Sequence, residues 1–193
     1  MNSKTSPHFL NLPNFVTLLR IGLIPLFLLM IFKRKAFLAL LIFLLAGMTD
    51  LLDGFLARLF KKKTKIGAFL DPAADKLLMT ASYIALSIPS LNSLNLIPFW
   101  LTATVIGRDL VIVFGALVVN RMTGHTTFLP TILGKINTVC QVSTLFLVLL
   151  HNYLQVSPLY LKWVFCLTFV LAFLSGINYI IIGFNLLSSP QRG

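Results

Sequence analysis

The stretch TDLLDGFLARLFKKKTKIGAFLDPAADK, Thr49 to Lys76, decides how the rest of the chain is read. The protein has five acidic residues, and four of them fall here: Asp50, Asp53, Asp71 and Asp75. Asp50 and Asp53 close one long apolar run, and Asp71 and Asp75 open the next. A carboxylate at membrane depth costs roughly 2.5–3.5 kcal/mol, so four in one place call for compensating cations or a function. At ~100° per residue, Asp50, Asp53, Gly54 and Ala57 fall on one face of a helix. Gly67, Asp71 and Asp75, spaced four and four, form a second stripe if that segment is helical from its start. Two antiparallel neighbours then aim four carboxylates at one point, with Gly54, Ala57 and Gly67 leaving room for a ligand. Like charges so close suppress each other's ionisation unless metal ions lie between them. Carboxylate oxygens suit hard divalent cations, Mg²⁺ or Mn²⁺, which usually arrive with substrate phosphates. Arg58 offers a planar fork for a phosphate oxygen. Asp71 before Pro72 equally fits a helix N-cap with proline at the first helical position.

The surrounding composition fixes the setting. Of 193 residues, 58% are hydrophobic and only 11% charged, which excludes an ordinary soluble domain and indicates a polytopic helical membrane protein. The net charge of +11 would suit nucleic acid, but the cations are dispersed or flank apolar runs, so anionic lipid and topology account for them. No nucleic-acid partner is expected. Cys140 and Cys166 lie in apolar runs, without metal-type spacing, and read as small buried residues.

The apolar runs predict an all-α integral membrane protein, residues 1–193 forming one bundle of six transmembrane helices. The expected spans are about Phe15–Phe32, Ala36–Leu59, Asp71–Ile88, Ile97–Val119, Leu133–Leu150, and Leu159 to beyond Ile180. Residues 1–13 are polar and turn-prone and suggest a short N-terminal interfacial helix, while 188–193 form a polar tail. Arg20, near the start of the first span, either snorkels to the headgroups or contacts a ligand. Lys33-Arg34-Lys35 makes a tight turn, and Lys61 to Lys65 a strongly basic loop. Arg108 and Asp109 sit mid-span, either as a mutually satisfied ion pair or with Arg108 turned to a polar site. His125, in the long polar link, lacks a partner pattern. His151 to Pro158 reads as a short outer loop. Six spans put both termini on one side. Placing Lys4, Arg58, Lys61, Lys62, Lys63, Lys65, Arg121, Lys135 and Arg192 inside, against Lys33, Arg34, Lys35 and Lys162 outside, sets the acidic motif at the cytoplasmic face of the inner (cytoplasmic) membrane.

The pattern D-x-x-D-G-x-x-A-R, eight residues, G-x-x-x-D-x-x-x-D resembles the signature of the CDP-alcohol phosphatidyltransferase family at every fixed position: Asp50, Asp53, Gly54, Ala57, Arg58, Gly67, Asp71 and Asp75. The resemblance implies transfer of a phosphatidyl group from CDP-diacylglycerol to an alcohol, with release of CMP. It implies Asp50, Asp53, Asp71 and Asp75 as ligands of two Mg²⁺ or Mn²⁺ ions, with Asp75 as the general base. It also implies that Gly54, Ala57, Arg58 and Gly67, together with Asn14 and Thr17, bind CDP-diacylglycerol. Arg108 and Lys135, the latter in GKINT, are implied as binders of the acceptor, though Lys135 at a helix start also fits a topology signal. A homodimer follows by resemblance as well.

Within the family, NLPNFVTLLRIGLIPL, DPAADKLL, GKINT and LSGINY resemble the phosphatidylglycerophosphate synthases, whose acceptor is glycerol 3-phosphate. Arg108-Asp109, in place of Arg-Glu, and LAGMTDLLDGFLAR resemble the CDP-diacylglycerol-using cardiolipin synthases, whose acceptor is phosphatidylglycerol. Ala116 stands where the former often have a further arginine. Glycerol 3-phosphate is the favoured acceptor and phosphatidylglycerol the alternative. An ion-coupled transporter using the acids as a cation site is a more distant alternative, and the chain shows no internal repeat to support it. A metal-dependent phosphohydrolase is another.

Overall fold

In lipid, a backbone polar group has no water to bond, so apolar runs of this length must close their hydrogen bonds internally as helices. The computed structural model describes the backbone over residues 12–60, 65–91, 94–123 and 131–188, and side chains over 18–49, 73–91, 94–122 and 131–187. It contains six helices: α1 (Leu12–Phe32), α2 (Ala36–Phe60), α3 (Lys65–Ser87), α4 (Phe99–Thr123), α5 (Ile132–Leu154) and α6 (Leu161–Ser188). No strand occurs among the described residues. Phe99–Met122, Ile132–Leu154 and Leu161–Leu187 are each long and apolar enough to cross a membrane, while Leu18–Phe32 and Ala36–Thr49 are shorter apolar stretches. Residues 1–11 of the expected interfacial segment, the basic residues 61–64, His125 and the last five residues lie outside the described residues, while Leu12 and Pro13 belong to α1.

The described chain falls into two compact units, divided after Ala85. In the first, α1 packs on α2 as a hairpin. The turn predicted at Lys33-Arg34-Lys35 is a Schellman closure: Lys35 N–H donates to Met30 O and Arg34 N–H to Ile31 O, both at 2.9 Å, with Arg34 in the left-handed region at φ 54°. Ala39 and Ala46 are fully buried along one side of α2, letting the helices approach, and the Phe27 and Phe43 rings meet at 6.3 Å.

Helix α3 begins at Lys65, a turn and a half before the expected start, so Asp71 and Pro72 lie inside it. The N-cap reading of Asp71 therefore does not hold. Proline at 72 forgoes a single backbone bond, to the carbonyl four residues back. Unwinding the segment would forgo several such bonds, so helix is the cheaper choice.

In the second unit, α6 is flanked by α4 and α5. Trp100 meets Phe169 edge-on at 5.3 Å, and Leu101, Val105, Leu145, Val148, Leu149 and Ala172 fill the core. Helix α5 runs a turn beyond its expected end, absorbing His151 and Asn152 from what reads in sequence as a loop. Both residues find partners, which is why the helix continues. Asn95 N–H donates to Asn152 Oδ1 at 2.8 Å, and Asn152 Nδ2 donates to Asn95 O at 3.2 Å. His151 Nδ1–H faces Leu147 O at 2.7 Å, leaving Nε2 to accept from the Tyr160 hydroxyl at 2.7 Å.

Candidate active site

The acidic motif belongs to the first unit. Asp50 and Asp53 lie in the second half of α2, and Asp71 and Asp75 in the first half of α3. Because α3 is helical from Lys65, Gly67, Asp71 and Asp75 do fall on one stripe, as their spacing requires. The side chains of Asp50, Asp53, Gly54, Ala57, Arg58, Gly67 and Asp71 lie outside the described ones; that of Asp75 is half-buried. The short hairpin turn also sets a level for the start of α1. Counted from Arg34, Thr17 stands as far back along α1 as Asp50–Leu51 stands forward along α2, and Asn14 matches Asp53–Gly54. Two antiparallel helices of equal rise therefore bring residues 14 and 17 to the height of the first two acids. Arg20, one turn on, is only 1% exposed, so it does not snorkel.

A second polar cluster forms in the other unit, around Arg108. Its side chain is buried mid-helix in α4. Nη1 donates to Asp109 Oδ1 at 2.7 Å, while Nε and Nη2 both donate to Ser175 Oγ on α6, at 3.2 and 2.9 Å. The guanidinium carbon lies 5.5 Å from the centre of the Tyr179 ring. The arginine stem packs closely on α6 at Gly176, where an added Cβ would meet Arg108 Cγ at 3.6 Å, an ordinary van der Waals contact. The ion-pair reading of Arg108-Asp109 thus describes what the protein does by itself, enlarged by a serine and a tyrosine.

Tyr179 carries the cluster on to α5. Its hydroxyl accepts from Thr131 N–H at 3.2 Å. Thr131 caps α5, its Oγ1 accepting from Gly134 N–H at 3.0 Å. A Cβ on Gly134 would stand 2.8 Å from the Tyr179 hydroxyl, so glycine is what admits the phenol. Lys135 follows, exposed in the first turn, where the positive end of the helix dipole adds to its charge. One tyrosine ring therefore lies between Arg108 and the helix start that carries Lys135. Ser175 and Tyr179 escape a sequence reading because they sit 67 or more positions from Arg108. The available signal is polar residues one turn apart on an otherwise apolar helix.

A model of the CDP-alcohol phosphatidyltransferase family matches residues 10–174, which takes in all four motif acids, Arg108 and Lys135. The chain belongs to that family. Ser175 and Tyr179, which hold Arg108, fall just past the matched region. Among named members, the chain is similar to the CMP-forming cardiolipin synthase of Rattus norvegicus, 33% identical over 187 residues, covering 87% of this chain and 60% of the relative. It is similar also to the CDP-diacylglycerol–glycerol-3-phosphate 3-phosphatidyltransferases of Bacillus subtilis, 36% identical over 157 residues (74% and 78% covered), and Escherichia coli, 34% over 141 (70% and 74%). The chain spans about three-fifths of the length of the cardiolipin synthases it matches.

Proposed function

We propose that the protein transfers a phosphatidyl group from CDP-diacylglycerol to a glycerol-type alcohol and releases CMP. The observation that carries this is the complete acidic motif of a CDP-alcohol phosphatidyltransferase, with Gly67, Asp71 and Asp75 on one continuous helical stripe. In the reaction, the acceptor's hydroxyl oxygen bonds to the phosphatidyl phosphorus, the bond from that phosphorus to the CMP oxygen breaks, and Asp75 takes the hydroxyl proton. Asp50, Asp53 and Asp71, with Asp75 contributing, would hold the divalent ions. As donors the four carboxylates fit Mg²⁺ or Mn²⁺, being hard oxygen ligands whose mutual repulsion a cation relieves. Such ions, bound there, would offset the charge of the diphosphate and of the departing CMP. Gly54, Ala57 and Gly67 leave space beside the backbone for CDP-diacylglycerol, and Arg58 with Asn14 and Thr17 orients its phosphates.

Arg108 and Lys135 bind the phosphate of the acceptor. Three of the five N–H groups on the Arg108 guanidinium are used by Asp109 and Ser175, leaving two for a phosphate oxygen. Glycerol 3-phosphate is the preferred acceptor, in keeping with the names of the Bacillus and Escherichia relatives. Phosphatidylglycerol is the second reading, favoured by the commitment of Arg108 to Asp109 and by the extent of the match to cardiolipin synthases. The six helices span the inner membrane as one bundle, an interfacial helix precedes them, and the acids lie at the cytoplasmic face, where the basic residues collect. A homodimer completes the assembly by family resemblance.

An acceptor panel tests the assignment. Purified protein with CDP-diacylglycerol and Mg²⁺ or Mn²⁺ is given each alcohol in turn, and CMP is measured. Release that needs glycerol 3-phosphate supports the first reading, and release that needs phosphatidylglycerol supports the second. Phosphatidic acid formed without any alcohol would mark a hydrolase and refute both.

A further inference from the structure

The helices of the second unit carry their own depth scale. Trp100 near the start of α4, Tyr153 near the end of α5, and Tyr160 and Trp163 around the start of α6 are all exposed. Helices α4 and α6 run parallel, Trp100 meeting Phe169 and Arg108 meeting Ser175, while the end of α5 meets the start of α6 through His151 and Tyr160. The four aromatic side chains therefore gather at one end of the unit, as such side chains do at a membrane–water boundary. Arg121, exposed in the last turn of α4, stands ~31 Å along the axis from Trp100. A hydrocarbon core is about 30 Å thick, so Arg121 reaches the headgroups of the opposite leaflet.

Between these two levels α4 and α6 leave a groove of about 200 Å³. It runs beside Val111–Val119 and Tyr179–Leu187, and its lining is apolar except for Tyr179, whose hydroxyl is engaged with Thr131. Along α4 it extends from ~3 to ~15 Å below Arg121, the depth of one leaflet's acyl chains. Gly115 and Gly183 open it, since a Cβ on either would meet no atom within 4 Å. Glycine inside a helix is unfavourable against alanine, and here it brings no close approach of the two helices in return. Left empty, the groove forfeits dispersion contacts along both walls. An acyl chain laid in it touches both helices at once. Val118, in the groove, is three residues from Arg121, and residues at that spacing are neighbours on a helix surface, so the cation stands at the mouth. Its planar fork suits phosphate oxygens, and a headgroup with no amine of its own leaves them free. We infer that the groove between α4 and α6 binds one anionic phospholipid, an acyl chain lying between Gly115 and Gly183 and the phosphate on Arg121. The site uses none of the residues assigned to the reaction.

The test is native mass spectrometry of the full-length protein in detergent, titrated with dioleoylphosphatidylmethanol or dioleoylphosphatidylcholine. Phosphatidylmethanol is anionic and has no hydroxyl on its headgroup, so it cannot serve as an acceptor. Wild type should hold one phosphatidylmethanol per chain about fivefold more tightly than phosphatidylcholine, the worth of one cation beside an anionic headgroup. Gly115→Leu and Gly183→Leu put apolar atoms into open space. Each should weaken binding of both lipids roughly 10-fold or more and unfold no earlier than wild type in lipid-free detergent. Arg121→Gln should lose the preference alone, and Arg121→Lys should keep most of it. Excess CDP-diacylglycerol with Mg²⁺ should leave the bound phosphatidylmethanol in place. The inference is overturned if both leucine variants bind as wild type does, if Arg121→Gln keeps the preference, or if wild type holds no phosphatidylmethanol. Should a leucine variant fail to fold, Arg121→Gln decides. Displacement by CDP-diacylglycerol would make the groove part of the substrate site, and fewer chains per particle in Gly183→Leu would give it to a second copy. Either result overturns the inference.

Discussion

Two asparagines point inward from α5, one near each end, and their surroundings are opposite. Asn152 exchanges a pair of hydrogen bonds with the backbone of Asn95, whose own amide reaches Val156 O at 2.8 Å, and beside it His151 bonds both its neighbours. Asn137, equally buried, bonds to nothing among the described residues. At one end every polar group is answered from within the chain. At the other, the amide has no partner among the described residues, and its burial carries the cost of that. In the first unit, the motif acids are the polar groups for which the proposed reaction has a use.

The contrast can be broken from either side. The largest effect is expected at the acids. Asp71→Asn keeps size and removes charge, and kcat/KM for CMP release should fall roughly 10²–10³-fold, the worth of several kcal/mol of charge stabilisation. The demand for divalent cation should shift upward in a metal titration, while the unfolding temperature stays level or rises as repulsion is relieved. Loss of stability with activity intact would place Asp71 on the structural side. Next comes Asn152→Leu, which strands both the N–H and the carbonyl of Asn95. It should cost about 2–5 kcal/mol of stability in denaturation with little change in KM for either substrate.

Ser175→Ala withdraws the oxygen that takes two of the N–H bonds of Arg108. A loss of about 1.5–3 kcal/mol is expected from these charge-assisted bonds, and the freed guanidinium should change KM for the acceptor, not for CDP-diacylglycerol. Gly134→Ala is the mildest. Its Cβ displaces the Tyr179 hydroxyl and forfeits the bond to Thr131, about 1 kcal/mol. In a Tyr179→Phe background the same substitution should cost measurably less, a coupling that a double-mutant cycle reads directly.

Much of this was legible in the residues themselves. The apolar runs mark every stated helix end but the start of α3 to within about a turn, because backbone in lipid has few alternatives to helix. The motif spacing announces its stripe, and the cluster Lys33-Arg34-Lys35 its turn. Errors fall where polar residues enter the helix. Asp71-Pro72 reads as a start and His151-Asn152 as a loop, because composition signals exposure while hydrogen bonding decides the backbone. Less legible still is pairing across distance. Nothing adjacent to Arg108 says that Ser175 and Tyr179 will hold it, and nothing in GKINT says that the asparagine, not the lysine, turns inward. Arg20 is a related case, since burial depends on which face of α1 meets its neighbours.

The closure at Lys33–Lys35 acts as a fixed zero from which both helices of the hairpin are measured. Inserting a single residue anywhere between Ala36 and Thr49 would carry Asp50 and Asp53 about 100° around the axis and ~1.5 Å along it, while positions 14 and 17 stayed where they were. Sequence drift in this segment is therefore free to exchange one apolar side chain for another, yet closed to any change in length that is not matched on both arms.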